Sequence, residues 1–234
     1  MAAPLVSIIV PAYNEQHTIA EIISRVHAAP FDLAREIIVV DDASEDDTVA
    51  TVEKLIAASG DDLRLIRHSK NRGKGAAVRT GLGEARGDII VIQDADLEYD
   101  PRDYPLLLEP ILEGRADVVF GNRFHGGPHR VLYFWHYVAN KFLTLVTNVL
   151  TNLNLSDMEV GYKVFRADVA RRLALTAERF GIEPELTIKT ARLGARIYEV
   201  PIRYHGRTYA EGKKITWRDG VSALVHIVRY RFFA

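Results

Sequence analysis

The sequence predicts an α/β protein with a mostly parallel central sheet flanked by helices. The first observation is that short β-branched runs alternate with longer segments of helical periodicity, as in βαβ units. The second is that these runs are apolar without interruption, which is typical of strands covered on both faces. No repeat or linker-like stretch divides the chain, so we expect residues 1–234 to form a single domain.

The predicted elements follow one another in a regular order. The predicted strands are 5–10, 36–40, 63–66, 88–93, 116–120 and 195–204. Helical periodicity separates the first four strands and covers 15–28, 45–58 and 75–85. Ser44 followed by Asp47 fits a capping box at the start of the second helix. The second half of the chain is expected to be the more helical one.

Bulk composition excludes several classes of protein. The formal net charge is -1, so no overall basic field indicates nucleic-acid binding. The chain has no cysteine, which rules out disulfides and thiolate metal sites. The amino terminus resembles no secretory leader, and no apolar run reaches the roughly 18 residues of a membrane-spanning helix. These features favour a cytoplasmic protein.

Polar motifs follow three of the predicted strands. They read PAYNE at 11–15, DDASEDD at 41–47 and DADLE at 94–98. Ligands of open parallel sheets bind beyond the carboxyl ends of the strands, which share one edge. We therefore expect these three motifs to meet around one cleft, although they are far apart in the sequence.

The DADLE motif predicts a cation site. Asp94, Asp96 and Glu98 are two residues apart, so on an extended chain their side chains point the same way. A set of carboxylates suits a hard divalent ion, which completes its shell with substrate phosphates. In the structural alternative, Asp96 caps a helix and Asp94 is only solvated.

Two further motifs could bind parts of a nucleotide. One of the neighbours Asp41 and Asp42 could accept hydrogen bonds from a base or a ribose, or both could belong to a solvated loop. Lys74 lies between glycines at a predicted helix N-terminus, where it can attract phosphate, although the pattern is no Walker A motif.

Two apolar segments are candidates for helices that lie in a membrane interface. Segments 131–155 and 217–232 both have broad apolar faces, and core helices are the alternative for each. Aromatic side chains at headgroup level and arginines facing an anionic leaflet would support the interfacial interpretation. They are Tyr133, Trp135 and Tyr137 in the first segment, and Arg229 and Arg231 in the second.

The order of the motifs PAYNE, VVDDAS, NRGKG, DADLE and GNR resembles family 2 glycosyltransferases. More closely, it is similar to the dolichol-phosphate and polyprenyl-phosphate sugar transferases, of the dolichol-phosphate mannosyltransferase type. The resemblance continues through 157–165 and 199–214 and so covers nearly the whole chain. It implies a GT-A fold, an inverting mechanism, a nucleotide-sugar donor such as GDP-mannose or UDP-glucose, and Mg²⁺ or Mn²⁺.

The resemblance also implies roles for particular residues. The implied donor-binding residues are Pro11, Ala12, Tyr13, Glu15, Asp42, Lys74 and Asp94. Asp94, Asp96 and Glu98 would surround the metal, although relatives often have Gln at the last position. The implied catalytic residues are Asp96, Arg123, Arg207 and Lys213. The tail reads EGKK where relatives often read GESK, which leaves the choice between Lys213 and Lys214 open.

The implied acceptor is a polyprenyl or dolichyl phosphate, which the protein would meet as a peripheral protein at the cytoplasmic face of a membrane. A membrane-anchoring subunit is an implied partner. In one alternative the acceptor is a sugar hydroxyl or a glycolipid, and Asp157 or Glu159 is the base. In another alternative, the chain binds nucleotides without catalysing a reaction. The intact acidic cluster and the basic tail argue against this alternative.

Overall fold

A seven-stranded sheet forms the centre of the computed structural model, which describes residues 3–59, 62–126, 128–179, 181–211 and 217–233. Along the chain the strands are β1 (Val6–Ala12), β2 (Arg35–Asp41), β3 (Leu63–Arg67), β4 (Ile89–Ile92), β5 (Val118–Asn122), β6 (Lys163–Arg166) and β7 (Ile197–Pro201). Their order across the sheet is β3-β2-β1-β4-β6-β5-β7.

The sheet is mostly parallel, as the sequence predicts. Strand β6 is the exception, because it pairs antiparallel with both β4 and β5. The sequence analysis missed β6, since four residues that include a buried lysine show no strand pattern. The predicted last strand, 195–204, is shorter in the structure, where β7 ends at Pro201.

Eight α-helices within the described residues accompany the sheet. They are α1 (Ile19–His27), α2 (Thr48–Ser59), α3 (Lys74–Glu84), α4 (Tyr104–Leu112), α5 (Phe134–Thr151), α6 (Ala167–Arg172), α7 (Ile182–Arg192) and α8 (Trp217–Phe232). Helix α3 packs against β1 and β2, and α4 packs against β5, β6 and β7. The apolar residues of β1, β2 and β4 are buried and dominate the core, which stabilises the fold by roughly 25 cal/mol per Å² of buried apolar area.

Two helix starts differ from the sequence prediction. Helix α1 begins at Ile19 rather than 15, because the carbonyl of Glu15 accepts the backbone N–H groups of Thr18 and Ile19 at a turn. The capping-box prediction is wrong, since α2 begins at Thr48. The Ser44 hydroxyl instead accepts a hydrogen bond of 3.0 Å from the backbone N–H of Asn14 and so joins the loops after β1 and β2.

Helices α5 and α8, the two candidate interfacial segments, pack against each other, and α8 also packs on α7. Helix α5 begins at Phe134, three residues after the start of the predicted segment 131–155. Arg231 donates a 2.6 Å hydrogen bond to the carbonyl of Leu150 and so joins the two helix ends. None of the described helices is long and apolar enough to cross a membrane.

Candidate functional site

The loops that follow β1, β2 and β4 meet at one edge of the sheet, around a cavity of about 1380 Å³. The structure brings the predicted site residues together there. The cavity wall includes Pro11, Ala12, Tyr13, Glu15, Asp42, Lys74, Asp94, Asp96, Glu98, Arg123 and Arg207. Lys213 and Lys214 lie outside the described residues.

The three carboxylates of the DADLE motif are each paired with a basic side chain. Lys74 Nζ lies 2.6 Å from Asp94, and the Arg207 guanidinium lies 2.7 Å from Asp96 and 3.2 Å from Glu98. Burial, followed by the negative charges of Asp94 and Glu98, raises the pKa of Asp96 to about 7. Keeping all three carboxylates ionised in this buried cluster is therefore unfavourable, even with the nearby basic side chains.

The donor set of this cluster fits a divalent cation chemically. Within the described part of the chain, no three acidic or histidine side chains already surround one point as metal ligands do. The carboxylates are nevertheless all-oxygen ligands of the kind that Mg²⁺ and Mn²⁺ prefer, and positive side chains now balance them. A cation at Asp96 and Glu98 requires the Arg207 guanidinium to move away.

Glu98 anchors the chain segment that carries Arg207. Its carboxylate accepts hydrogen bonds from the Tyr204 hydroxyl at 2.9 Å and from the backbone N–H of Arg207 at 3.0 Å. Its carbonyl accepts the backbone N–H of His205 at 2.9 Å. Glu98 therefore has a structural task that the sequence analysis did not foresee, because its partners lie about a hundred residues further along.

Asp42 holds the loop that leads into α3. Its carboxylate accepts the backbone N–H groups of Arg72 at 2.9 Å and Gly73 at 2.6 Å, and it lies 2.7 Å from Nδ1 of His68. Gly73 has a φ of 92°, and a Cβ there would collide with the carbonyl of Glu178, so glycine is required. These contacts place Lys74 at the N-terminus of α3, beside Asp94.

A chain of alternating charges runs from the cavity into the core. Lys74 bridges Asp94 and Glu183, and its Nζ lies 3.0 Å from the Glu183 carboxylate. The other side of Glu183 pairs with Lys163, which is 0% exposed. Burial alone would raise the pKa of Glu183, but the charges of Lys163 and Lys74 hold it below its ordinary value. The sequence analysis missed Lys163 and Glu183, since no local pattern connects them.

Arg123 lies in the cavity wall and is held from behind by the buried Asp157. The Nε and Nη2 atoms of Arg123 each donate a 2.7 Å hydrogen bond to the Asp157 carboxylate, which also accepts from Asn140 at 3.0 Å. Burial would raise the pKa of Asp157, but these partners outweigh it and keep the pKa low. Asp157, a predicted candidate base, is thus a partner of Arg123 and a poor proton acceptor.

Part of the cavity wall is apolar. Helices α5 and α8 contribute most of it, so the same cavity joins charged residues at the edge of the sheet to apolar side chains of the helices. Its apolar lining includes Leu132, Phe134, Trp135, Leu143, Val221 and Leu224. A molecule that carries a charged head and an apolar tail matches this division.

Comparison with known proteins identifies relatives over most of the chain. The family model described as "Glycosyl transferase family 2" matches residues 7–174. The dolichol-phosphate mannosyltransferase of Pyrococcus furiosus is 34% identical over 90% of this chain and 60% of its own length. The undecaprenyl-phosphate mannosyltransferase of Micrococcus luteus is 32% identical over 95% of this chain and 92% of its own length. The chain therefore spans less than two thirds of the Pyrococcus protein and nearly all of the Micrococcus protein.

Solved structures confirm the fold. Glucosyl-3-phosphoglycerate synthase from Mycobacterium tuberculosis, in complex with Mn²⁺, UDP and phosphoglyceric acid, superposes with a TM-score of 0.74 at 22% identity. The match covers 99% of this chain and 80% of the synthase. The same synthase has been solved with Mg²⁺ and UDP, with a TM-score of 0.72. The predicted GT-A fold is thereby confirmed.

Proposed function

The chain belongs to glycosyltransferase family 2, and on that premise we propose that it is an inverting hexosyltransferase. The donor is a nucleotide sugar of the GDP-mannose or UDP-glucose type, and the acceptor is a polyprenyl or dolichyl phosphate. The observation that carries this proposal is that one cavity is lined both by acidic and basic side chains and by apolar side chains. The mannosyltransferases from Pyrococcus and Micrococcus, named for lipid phosphate acceptors, support the choice of acceptor.

The donor would lie along the loops after β1, β2 and β4. Pro11, Ala12 and Tyr13 line the cavity beside Asp42 and would hold the nucleoside. Lys74 would meet the diphosphate, since it is the first residue of α3, whose N-terminus favours anions, and its ammonium group lies beside Asp94. Glu15 completes this wall of the cavity.

Asp94, Asp96 and Glu98 would hold the divalent ion. Bound Mg²⁺ or Mn²⁺ would supply positive charge to the diphosphate as it leaves the sugar. The Mn²⁺ and Mg²⁺ complexes of the Mycobacterium synthase support this assignment. Arg207 would then leave Asp96 and Glu98, and its guanidinium would be available to the phosphate of the acceptor.

The lipid phosphate would act as the nucleophile without a protein base. A phosphate monoester with a second pKa near 6 is largely dianionic at pH 7. Arg123, held by Asp157, and Arg207 would bind this phosphate and orient it toward the anomeric carbon. Lys213, which lies outside the described residues, would contribute another positive charge.

The apolar faces of α5 and α8 would bring the protein to the membrane surface. Trp135 is 76% exposed and Phe232 is 60% exposed, and both belong to helices that pack side by side. This arrangement supports peripheral attachment at the cytoplasmic face, where the phosphate of a polyprenyl chain is presented. A membrane-anchoring subunit could add to it.

A product assay tests the proposal. Purified protein is incubated with GDP-mannose or UDP-glucose, a short polyprenyl phosphate and Mg²⁺ or Mn²⁺, and the lipid-linked hexose is measured together with its anomeric configuration. We expect an inverted product that disappears in excess chelator and in Asp96→Ala. Asp168→Ala, a change of an exposed surface carboxylate, is the control that keeps activity. Full activity in chelator would contradict the metal assignment. In parallel incubations with polyprenol or a glycolipid, transfer to these acceptors and not to the polyprenyl phosphate would favour the hydroxyl acceptor.

A further inference from the structure

One carboxyl group in the cavity wall, that of Glu159, has no task in the reaction as described so far. It lies in the loop 157–161, between β6 and the end of α5. One end of this loop is Asp157, which holds Arg123, and the other is Gly161, where a Cβ would collide with the Asp94 carboxylate. Along this loop Glu159 therefore lies between a residue that holds Arg123, assigned to the acceptor, and one packed against Asp94, assigned to the donor. The charges of Glu183 and Arg123 both act on its carboxyl group.

The loop is held rigidly on both sides of Glu159. Lys163 donates hydrogen bonds to the carbonyls of Met158 at 3.2 Å and Val160 at 2.5 Å. The backbone N–H of Gly161 donates to the Tyr99 hydroxyl at 2.8 Å. A side chain on such a loop is presented to the cavity in a fixed position, as a group that selects a substrate requires.

The Glu159 carboxyl lacks a hydrogen-bond partner at one of its oxygens. Among the described residues, nothing hydrogen-bonds to its buried Oε1 atom. Burial, with the neighbouring charge of Glu183, raises the pKa of Glu159 to about 7, so the group can both donate and accept hydrogen bonds near neutral pH. Buried polar atoms are nearly always satisfied, and because Glu159 belongs to the cavity wall, a ligand in the cavity can supply the missing partner.

We infer that Glu159 hydrogen-bonds to a hydroxyl group of the hexosyl residue being transferred and thereby helps to select the sugar. The inference rests on the proposed function. The ionised form of this carboxyl group repels the diphosphate and the acceptor phosphate, and an isoprenoid chain offers neither form a hydrogen bond. The sugar hydroxyls are the remaining groups of the two substrates that lie between donor and acceptor phosphates.

Donor analogues that lack single hydroxyl groups test the inference. UDP-glucose, GDP-mannose and their 2-, 3-, 4- and 6-deoxy derivatives are titrated calorimetrically with Mg²⁺ into the wild type, Glu159→Ala and Glu159→Gln. UDP and GDP alone are titrated as well. Glu109→Ala, a change of an exposed carboxylate on α4, is the control, and thermal unfolding of each variant checks its fold.

We expect one deoxy derivative to bind the wild type about 10-fold more weakly than the parent sugar nucleotide. In Glu159→Ala the parent loses the same factor, the matching deoxy derivative loses nothing further, and UDP or GDP alone binds unchanged. Glu159→Gln keeps part of the effect because its amide still hydrogen-bonds.

A merely structural role for Glu159 would instead make its replacement weaken the binding of every ligand alike, including the nucleotide alone, and this result would overturn the inference. Equal binding of all derivatives by the wild type and the variants would overturn it too. Failure of every nucleotide to bind would overturn the proposed function and the inference with it.

Discussion

The Nη2 atom of Arg207 lies 2.7 Å from the Oδ2 atom of Asp96, although the two residues are 111 positions apart in the sequence. In this arrangement a guanidinium balances the carboxylate that is assigned to a divalent ion. The same guanidinium is also assigned to the acceptor phosphate. Binding of the metal and donor should therefore release Arg207 for the acceptor, which favours an order in which the donor binds first.

The first prediction concerns competition between Arg207 and the metal. In Arg207→Ala the protein should bind Mn²⁺ several-fold more tightly in the absence of nucleotide, because the cation no longer displaces a paired guanidinium, while transfer to polyprenyl phosphate is lost. Calorimetric titration with Mn²⁺ measures this. Arg196→Ala, which removes a surface partner of Asp117, is the control and should leave Mn²⁺ binding unchanged. Weaker Mn²⁺ binding in Arg207→Ala would contradict the prediction.

The second prediction concerns Asp157. If Asp157 orients Arg123 and abstracts no proton, Asp157→Asn should lower kcat/KM roughly 10- to 100-fold by misplacing the guanidinium. The pH–rate profile on polyprenyl phosphate should keep its shape and stay flat above the phosphate pKa. Asn140→Ala, which removes another partner of the same carboxylate, should cause a smaller loss of the same kind. A low-pH limb below the phosphate pKa that is present in the wild type and absent from the Asp157 variant would instead indicate a catalytic base.

The third prediction concerns the buried Lys163. Lys163→Met leaves one side of the Glu183 carboxylate and two backbone carbonyls without their donor, so the free energy of unfolding should fall by about 3 kcal/mol. Denaturant unfolding measures the change. Arg25→Met, which removes an exposed pair with Glu21 on α1, should cost less than about 1 kcal/mol. Similar values for the two variants would show that the internal ion chain adds little stability.

The fourth prediction concerns the pH dependence of stability. The pKa of Glu159 in the folded protein, about 7, lies above the ordinary value of 4.5. The folded state therefore binds this proton more tightly, and the resulting stability is complete below pH 4.5 and is lost as pH rises through 7. From pH 5 to pH 8 the free energy of unfolding of the wild type should therefore fall by about 1 to 3 kcal/mol more than that of Glu159→Gln, which has no proton to lose at this position. An identical decline in both proteins would show that Glu159 does not titrate in this range.

The fifth prediction concerns the membrane. Co-sedimentation with anionic liposomes is expected at low salt and should weaken at high salt, because each basic residue near the leaflet contributes about 1 kcal/mol. Trp135→Glu and Phe232→Glu should both reduce it without unfolding the protein, since both side chains are exposed. Leu112→Glu changes a half-exposed apolar residue on α4 and should have no effect. Wild-type protein that stays in the supernatant at low salt would point to attachment through a partner or to a soluble acceptor.

The sequence by itself determined the alternation of the first four strands with three helices and the edge of the sheet where the site lies. Both follow from local chemistry, because β-branched runs form strands and the carboxyl ends of parallel strands share one edge. The order of motifs also indicated the family and the residues that line the cavity. The shortest strand, β6, was missed, because four residues with a buried lysine show no pattern of their own.

Only the tertiary structure decided which charges meet. Arg207 pairs with Asp96, Glu183 joins Lys74 to Lys163, and Asp157 holds Arg123. It also decided that Glu98 anchors the returning segment and that Ser44 caps no helix. Ion pairs and side-chain hydrogen bonds depend on distances of a few ångströms between distant segments. Those distances arise only when the sheet, α5 and α7 pack together, and no local pattern in the sequence encodes them.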